Sequence, residues 1–200
     1  MIAGTRGYGE NAASLIARYE ELAFPVKHEA VMHLLPTSPV AALDVGAGTG
    51  ADAHWLAEQG HRVIAVEPTD AFRKFAAAHH PSPRITWVDD GLPHLASLDP
   101  SLQRFGLIMV TAVWMHLSTP ERAVGMPVLA RLLAPGGVLV MALRHGPRPP
   151  GRRMFEVSAH ETVGLAEHSG LRCVLDVATE SLQAENRRAG VTWSRLAFTR

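Results

Sequence analysis

A single cysteine, Cys173, leaves this chain without an internal disulfide framework. It stands in a strand-like stretch, where a free thiol is expected to pack as a small apolar group. Only Lys27 and Lys74 are lysines, so nearly all the positive charge is arginine. The 19 basic and 19 acidic residues cancel. General nucleic-acid or membrane-surface binding needs a basic excess, and none is present. No apolar run approaches the roughly 20 residues that span a bilayer. The first fourteen residues lack the basic-then-apolar pattern of an export signal, so a cytoplasmic protein is expected. Metal-ligand spacing is missing as well. His28 and His33 in HEAVMH are five apart, whereas two ligands on one helix face need four. No metal is expected.

What is present is a globular composition, 47% hydrophobic and 19% charged over 200 residues. That length suits one domain, residues 1–200. Short apolar runs alternate with helical segments, the mark of an α/β fold. Strands are predicted at Val40–Val45, Arg62–Val66, Arg84–Val88, Phe105–Thr111 and Val138–Leu143. Helices are predicted at Asn11–Glu21, from Pro25 to before Pro36, and at Thr49–Gln59, Asp70–His79, Pro120–Leu133 and Ala159–Ser169. Thr119 is the expected cap of the helix that begins at Pro120. Two closing strands, Arg172–Val177 and Thr192–Phe198, have no helical pattern between them and are expected to pair antiparallel.

The loop after the first strand holds Gly46, Gly48 and Gly50 and opens a helix. Glycines there permit a tight turn and let a ligand lie against bare backbone. Gly46, Gly48 and Ala51 satisfy the dinucleotide pattern G-x-G-x-x-[GA], with Glu67 at the right distance for a ribose hydroxyl. S-adenosylmethionine suits the same loop. Asp44, two residues before the first glycine, discriminates between them. A carboxylate there repels a pyrophosphate and attracts the cationic amino group of a methionine moiety.

LDVGAGTG followed by VEP resembles the first two motifs of the class I S-adenosylmethionine-dependent methyltransferases. ITWVDDGLP, FGLIMVTAVWMHL and LLAPGGVLVMAL resemble their third-, fourth- and fifth-strand segments, in order. Gly106 departs from the family pattern, which usually has Asp there. The resemblance implies a Rossmann-like seven-stranded sheet, order 3-2-1-4-5-7-6, with the last strand antiparallel and helices on both faces. It implies a helical lid over 1–36, a cofactor-binding core over 37–145, and an acceptor loop and C-terminal hairpin over 146–200. The implied cofactor residues are Asp44, Gly46, Ala47, Gly48, Thr49, Gly50, Glu67, Pro68, Gly91, Thr111 and Ala112. Asp90, with Asp89 as its neighbour, would meet the adenine amino group. The implied activity is methyl transfer to a small-molecule acceptor by in-line displacement, leaving S-adenosylhomocysteine. A non-catalytic cofactor-binding protein and a dinucleotide oxidoreductase stay open as alternatives.

His116, at the end of the fourth-strand motif, and His145, after the fifth strand, are the candidate general bases. Arg144–Val157 carries four arginines and a histidine in ten residues without an acid. Its Arg144, His145, Arg152 and Arg153 suit an anionic acceptor, since arginine forks match carboxylate or phosphate. Tyr8 and Arg18 from the lid, with Trp114 and His116, complete the expected acceptor pocket.

Overall fold

The computed structural model describes residues 12–200. A seven-stranded sheet runs in the order β3-β2-β1-β4-β5-β7-β6. Its strands are β1 (Ala41–Val45), β2 (Arg62–Val66), β3 (Ile85–Val88), β4 (Phe105–Thr111), β5 (Leu133–His145), β6 (Arg172–Glu180) and β7 (Thr192–Thr199). The pairings from β3 to β5 are parallel; β7 lies antiparallel to both β5 and β6. The helices are α1 (Ala12–Tyr19), α2 (Phe24–Lys27), α3 (Ala51–Glu58), α4 (Asp70–His79), α5 (Thr119–Leu132), α6 (Ala159–His168) and α7 (Ala184–Arg188). The expected fold class and strand order both hold.

The central strands are apolar on both sides because helices cover both faces. Leu43, Val45, Ile108 and Val110 pack into one core with Leu129 and Ala166 from α5 and α6. The alternate residues Ala42, Leu107 and Met109 pack into a second core with Phe24, Ala53 and Leu56. Side chains along a strand change face at every residue. Asp44 and Thr111 therefore continue the rows of Ala42 and Met109 on the α3 face. The strand order reverses between the parallel neighbours β1 and β4, so the carboxyl ends of these strands open a crevice. On α1, Leu15 is buried with Phe72 of α4, and the Tyr19 ring lies 6.0 Å from the Phe72 ring.

Several element boundaries differ from expectation. The helix predicted from Pro25 is two pieces, α2 and a 3₁₀ turn over Glu29–Leu34. They break at His28, whose ring is pinned to Asp52 at 2.8 Å. The cap of α5 is Ser118 rather than Thr119: Glu121 Oε2 accepts from the Ser118 amide and hydroxyl, both at 2.7 Å. Strand β5 begins at Leu133, because Leu133 pairs with Phe105 before the register shifts around the glycine pair. Helix α7 lies between the closing strands, where none was expected; AENRR buries no residue and so shows no apolar period. Gly106 sits against Val40, whose Cβ lies 3.0 Å from where a Cβ on the glycine would stand. The departure from the family pattern is thus a packing matter at the foot of β4, away from the crevice.

Candidate functional site

The sequence after β1 folds as a loop that only glycine permits. Gly46, Gly48 and Gly50 have φ of +71°, +56° and +87°. The Gly46 and Ala47 amides both donate to the Val66 carbonyl, at 2.7 and 3.0 Å, tying the loop across to β2. A Cβ on Gly46 would lie 2.3 Å from Val113 Cγ2, and one on Gly50 would lie 2.9 Å from Trp87 Cη2. At Gly48 a Cβ would meet the Tyr19 ring at 3.7 Å, in ordinary van der Waals contact.

Three carboxylates converge on this loop. Asp44 is 2% exposed, and its Oδ2 has no hydrogen-bond partner among the described residues. Burial, with the neighbouring Asp52 and Glu67 outweighing Lys27, pushes the Asp44 carboxyl up to about 8. Asp52, in the first turn of α3, is held by Lys27 Nζ at 2.6 Å and His28 Nε2 at 2.8 Å. Burial opposes its charge, yet those two partners keep it well below the usual carboxylate range. Glu67 ends β2 and accepts from the Gly48 amide at 2.9 Å and the Thr69 amide at 2.7 Å. Burial raises its pKa against those bonds and the Arg73 charge.

A single cleft brings many of the expected residues together. Asp44, Gly46, Ala47, Gly48 and Thr49 line it from the first strand and loop. Glu67 and Pro68 line it from the second strand, Gly91 from the third, and Thr111, Ala112 and His116 from the fourth. The Thr111 hydroxyl, like Asp44 Oδ2, is buried without a partner among the described residues. His116 Nδ1 donates to the Arg153 carbonyl at 2.7 Å, which leaves the neutral ring's remaining lone pair on Nε2. Burial lowers the His116 pKa, and the Arg152, Arg153 and Arg144 charges add to that against the carbonyl bond.

Other expected residues stand elsewhere. Asp90 does not line the cleft: its carboxylate accepts from the Gly91 and Ser97 amides, both at 2.7 Å, and closes its own loop. Asp89 is exposed and pairs with Arg73 at 2.9 Å. Gly50 supports the loop from behind. Trp114 is fully buried in the core over Gly125 instead of lining a pocket. Arg153 donates to the His116 carbonyl at 2.6 Å and to Glu121 at 2.8 Å, and it stacks on Phe155. Arg144 and His145 line a second cavity with Arg122, Arg148 and Glu161. There His145 Nε2 meets Ser194 Oγ at 2.8 Å, so the structure places this candidate base outside the cleft. Arg152 is half-buried, and its charge reaches His116. Tyr8 and the Arg18 side chain lie outside the described residues.

Sequence reasoning missed the cleft's far wall, which includes Ser181, Gln183, Trp193 and Arg195. Arg187 of α7 fixes part of that wall by donating to the Ser181 and Leu182 carbonyls, at 2.8 and 2.6 Å. One signal was available in TWSRLAFT, where a lone arginine interrupts an apolar strand.

A profile of the methyltransferase domain matches residues 42–137. Uncharacterised methyltransferases of Mycobacterium tuberculosis and Mycobacterium bovis are 32% identical over 139 residues, 70% of this chain and 54% of theirs. These matches place residues 42–137 in the methyltransferase domain family. The chain spans about half the length of those curated relatives. Two solved methyltransferases share the fold. One is the 1,6-didemethyltoxoflavin-N1-methyltransferase of Burkholderia thailandensis, bound to 1,6-didemethyltoxoflavin and S-adenosylhomocysteine. Its TM-score is 0.72 at 20% identity, over 94% of this chain and 83% of that one. The other, from Mesorhizobium loti, has a TM-score of 0.71 at 17% identity, over 90% and 99%.

S-adenosylmethionine is the cofactor of this family, and the cleft fits it. A buried carboxylate oxygen lacking a partner suits a cationic ammonium. Gly48 lines the cleft without a side chain, which lets a ligand lie against backbone, and the ordered Glu67 carboxylate has acceptor capacity left for hydroxyls. Gly46→Ala tests the cradle. The left-handed φ costs about 1–2 kcal/mol for alanine, and Val113 must also move. The melting temperature is expected to fall by about 5 °C and S-adenosylhomocysteine affinity by roughly tenfold. Wild-type melting and affinity by calorimetry would remove the steric argument.

Proposed function

We propose that this protein transfers a methyl group from S-adenosylmethionine to a small-molecule acceptor. The observation that carries this reading is Asp44 Oδ2, a carboxylate oxygen with no partner among the described residues, in a glycine-built cleft. Asp44 holds the ammonium of the methionine moiety. Glu67, fixed by two backbone amides, accepts from the ribose hydroxyls. When bound, S-adenosylmethionine supplies a methyl group already activated by its sulfonium. The chain's task is then to hold the acceptor in line and exclude water, and such positioning is worth roughly 7–11 kcal/mol in favourable cases.

His116 takes the acceptor's proton where one must leave. Its depressed pKa keeps the imidazole neutral near pH 7, and the bond from Nδ1 to the Arg153 carbonyl fixes the tautomer with Nε2 basic. Tyr19 and Leu22 on one side and Trp193 on the other wall the cleft. That enclosure suits a small acceptor, and the Burkholderia enzyme of the same fold binds the small molecule 1,6-didemethyltoxoflavin.

The test is S-adenosylhomocysteine formation, followed by mass spectrometry, against a panel of small acceptors. Product is expected only when an acceptor is present. His116→Gln is expected to lower kcat by about 10²-fold with unchanged S-adenosylhomocysteine affinity. Cofactor binding with no product across the panel would establish the non-catalytic alternative. NADH binding insensitive to S-adenosylmethionine would establish the oxidoreductase.

A further inference from the structure

Arg195 is a charged residue in a place that ordinarily excludes charge. It lies within β7, 8% exposed, between the buried Ser194 and Leu196. Its strand partner on β5 is Ala142, which in turn pairs with Thr111 on β4. Paired residues share a face of the sheet. Arg195, Thr111 and Asp44 therefore point to the same side, and all three line the same cleft. The guanidinium carbon sits 5.2 Å from the centre of the Trp193 ring.

Among the described residues Arg195 forms no ion pair and donates no side-chain hydrogen bond. The acid whose charge reaches it is Asp52, already engaged by Lys27 and His28. Burial accordingly draws its pKa down. A guanidinium 8% exposed in a cleft wall, with an aromatic ring as its neighbour and no hydrogen bond among the described residues, gains most when an anion with matching geometry arrives.

Building on the methyltransferase reading, we infer that the acceptor carries a carboxylate, and that Arg195 holds it. Two sources of carboxylate can enter this cleft, the acceptor and the methionine moiety of the cofactor. The methionine carboxylate shares a carbon with the ammonium held by Asp44. The cation whose charge reaches Asp44 is Lys27. Arg195 stands two strands beyond Thr111 in the opposite direction from Glu67, roughly 10 Å away at the usual strand spacing. That position belongs to the acceptor. The apolar side chains of Trp193, Val113 and Leu117 alongside fit an acceptor whose anionic group is attached to an apolar body. The arginine-rich loop after β5, the expected anion site, is largely occupied: Arg144 donates to the Pro147 carbonyl and Arg153 to Glu121.

The experiment is calorimetric titration of the full chain, loaded with S-adenosylhomocysteine, with benzoate and phenylacetate and with their neutral amides. Each carboxylate is expected to bind at least tenfold more tightly than its amide. Arg195→Met should erase that preference, leave S-adenosylhomocysteine affinity within about threefold, and raise the melting temperature of the ligand-free protein, because a buried unpaired charge is removed. A structural role predicts a lower melting temperature instead. Arg195→Lys keeps the charge but loses the fork, and an intermediate preference is expected. Equal binding of carboxylates and amides by the wild type overturns the inference. So does a tenfold loss of S-adenosylhomocysteine affinity in Arg195→Met with the carboxylate preference intact, which would assign Arg195 to the cofactor. Failure of the wild type to bind S-adenosylhomocysteine would instead defeat the methyltransferase reading itself.

Discussion

Asp44→Asn is expected to weaken S-adenosylmethionine binding by roughly 100-fold while making the ligand-free protein more stable at pH 8. The first effect follows from removing a charge that meets a desolvated ammonium; truncating such pairs costs about 2–5 kcal/mol. The second follows from the carboxyl's raised pKa, about 8 in the folded state against an ordinary value of 3.8. Between those values the folded protein binds a proton that the unfolded chain releases, so stability falls as pH rises across that window. Asparagine carries no such proton. The melting difference between variant and wild type should be near zero below pH 4, grow through neutrality, and reach the order of 5 °C at pH 8. Cofactor binding near pH 6–7 should release a proton, measurable as a dependence of calorimetric heat on buffer ionisation enthalpy. Parallel melting curves from pH 4 to 9, or unchanged affinity, would remove the role given to Asp44.

Arg122→Met should produce the largest loss of stability. Arg122 is 2% exposed on α5. It donates to Glu161 of α6 through Nε at 3.0 Å and Nη2 at 2.9 Å, to the Leu117 carbonyl at 2.6 Å, and to Thr119 Oγ1 at 3.1 Å. Methionine fills much of the volume but strands the Leu117 carbonyl and the Glu161 carboxylate. Breaking a buried pair costs about 3–5 kcal/mol. Glu161 remains 29% exposed, so the lower end applies. The melting temperature is expected to drop by about 6–12 °C. A thermal melt within 2 °C of wild type would show that water replaces the guanidinium at little cost. Glu161→Gln, which keeps the shape and one acceptor, should cost less than half as much.

The sheet was legible because buried parallel strands announce themselves as unbroken apolar runs, and the glycine loop because only glycine adopts its backbone. The acceptor side was less legible for specific reasons. Trp114 and His116 lie in a 3₁₀ turn, where residues two apart point in different directions, so the same motif sends the tryptophan into the core and the histidine to the cleft. Asp90 has the composition of a ligand residue, yet two nearby amides claim its oxygens. Arg195 belongs to a strand more than eighty residues beyond Thr111, and only sheet pairing through Ala142 brings them into one row. Helix α7 leaves no periodic trace because it packs nothing, although it sets the Ser181–Gln183 wall.

The insertion of β7 between β5 and β6 has a consequence for biosynthesis. As the polypeptide leaves the ribosome, β5 keeps a bare outer edge and β6 has no neighbour until the closing strand emerges. An open edge of this kind is a template for wrong pairing between nascent chains. The eight-residue β7 thus covers the β5 edge, gives β6 its neighbour and delivers the guanidinium in the same motion. A nascent chain in this state would have its glycine turn formed while the opposite wall was still missing.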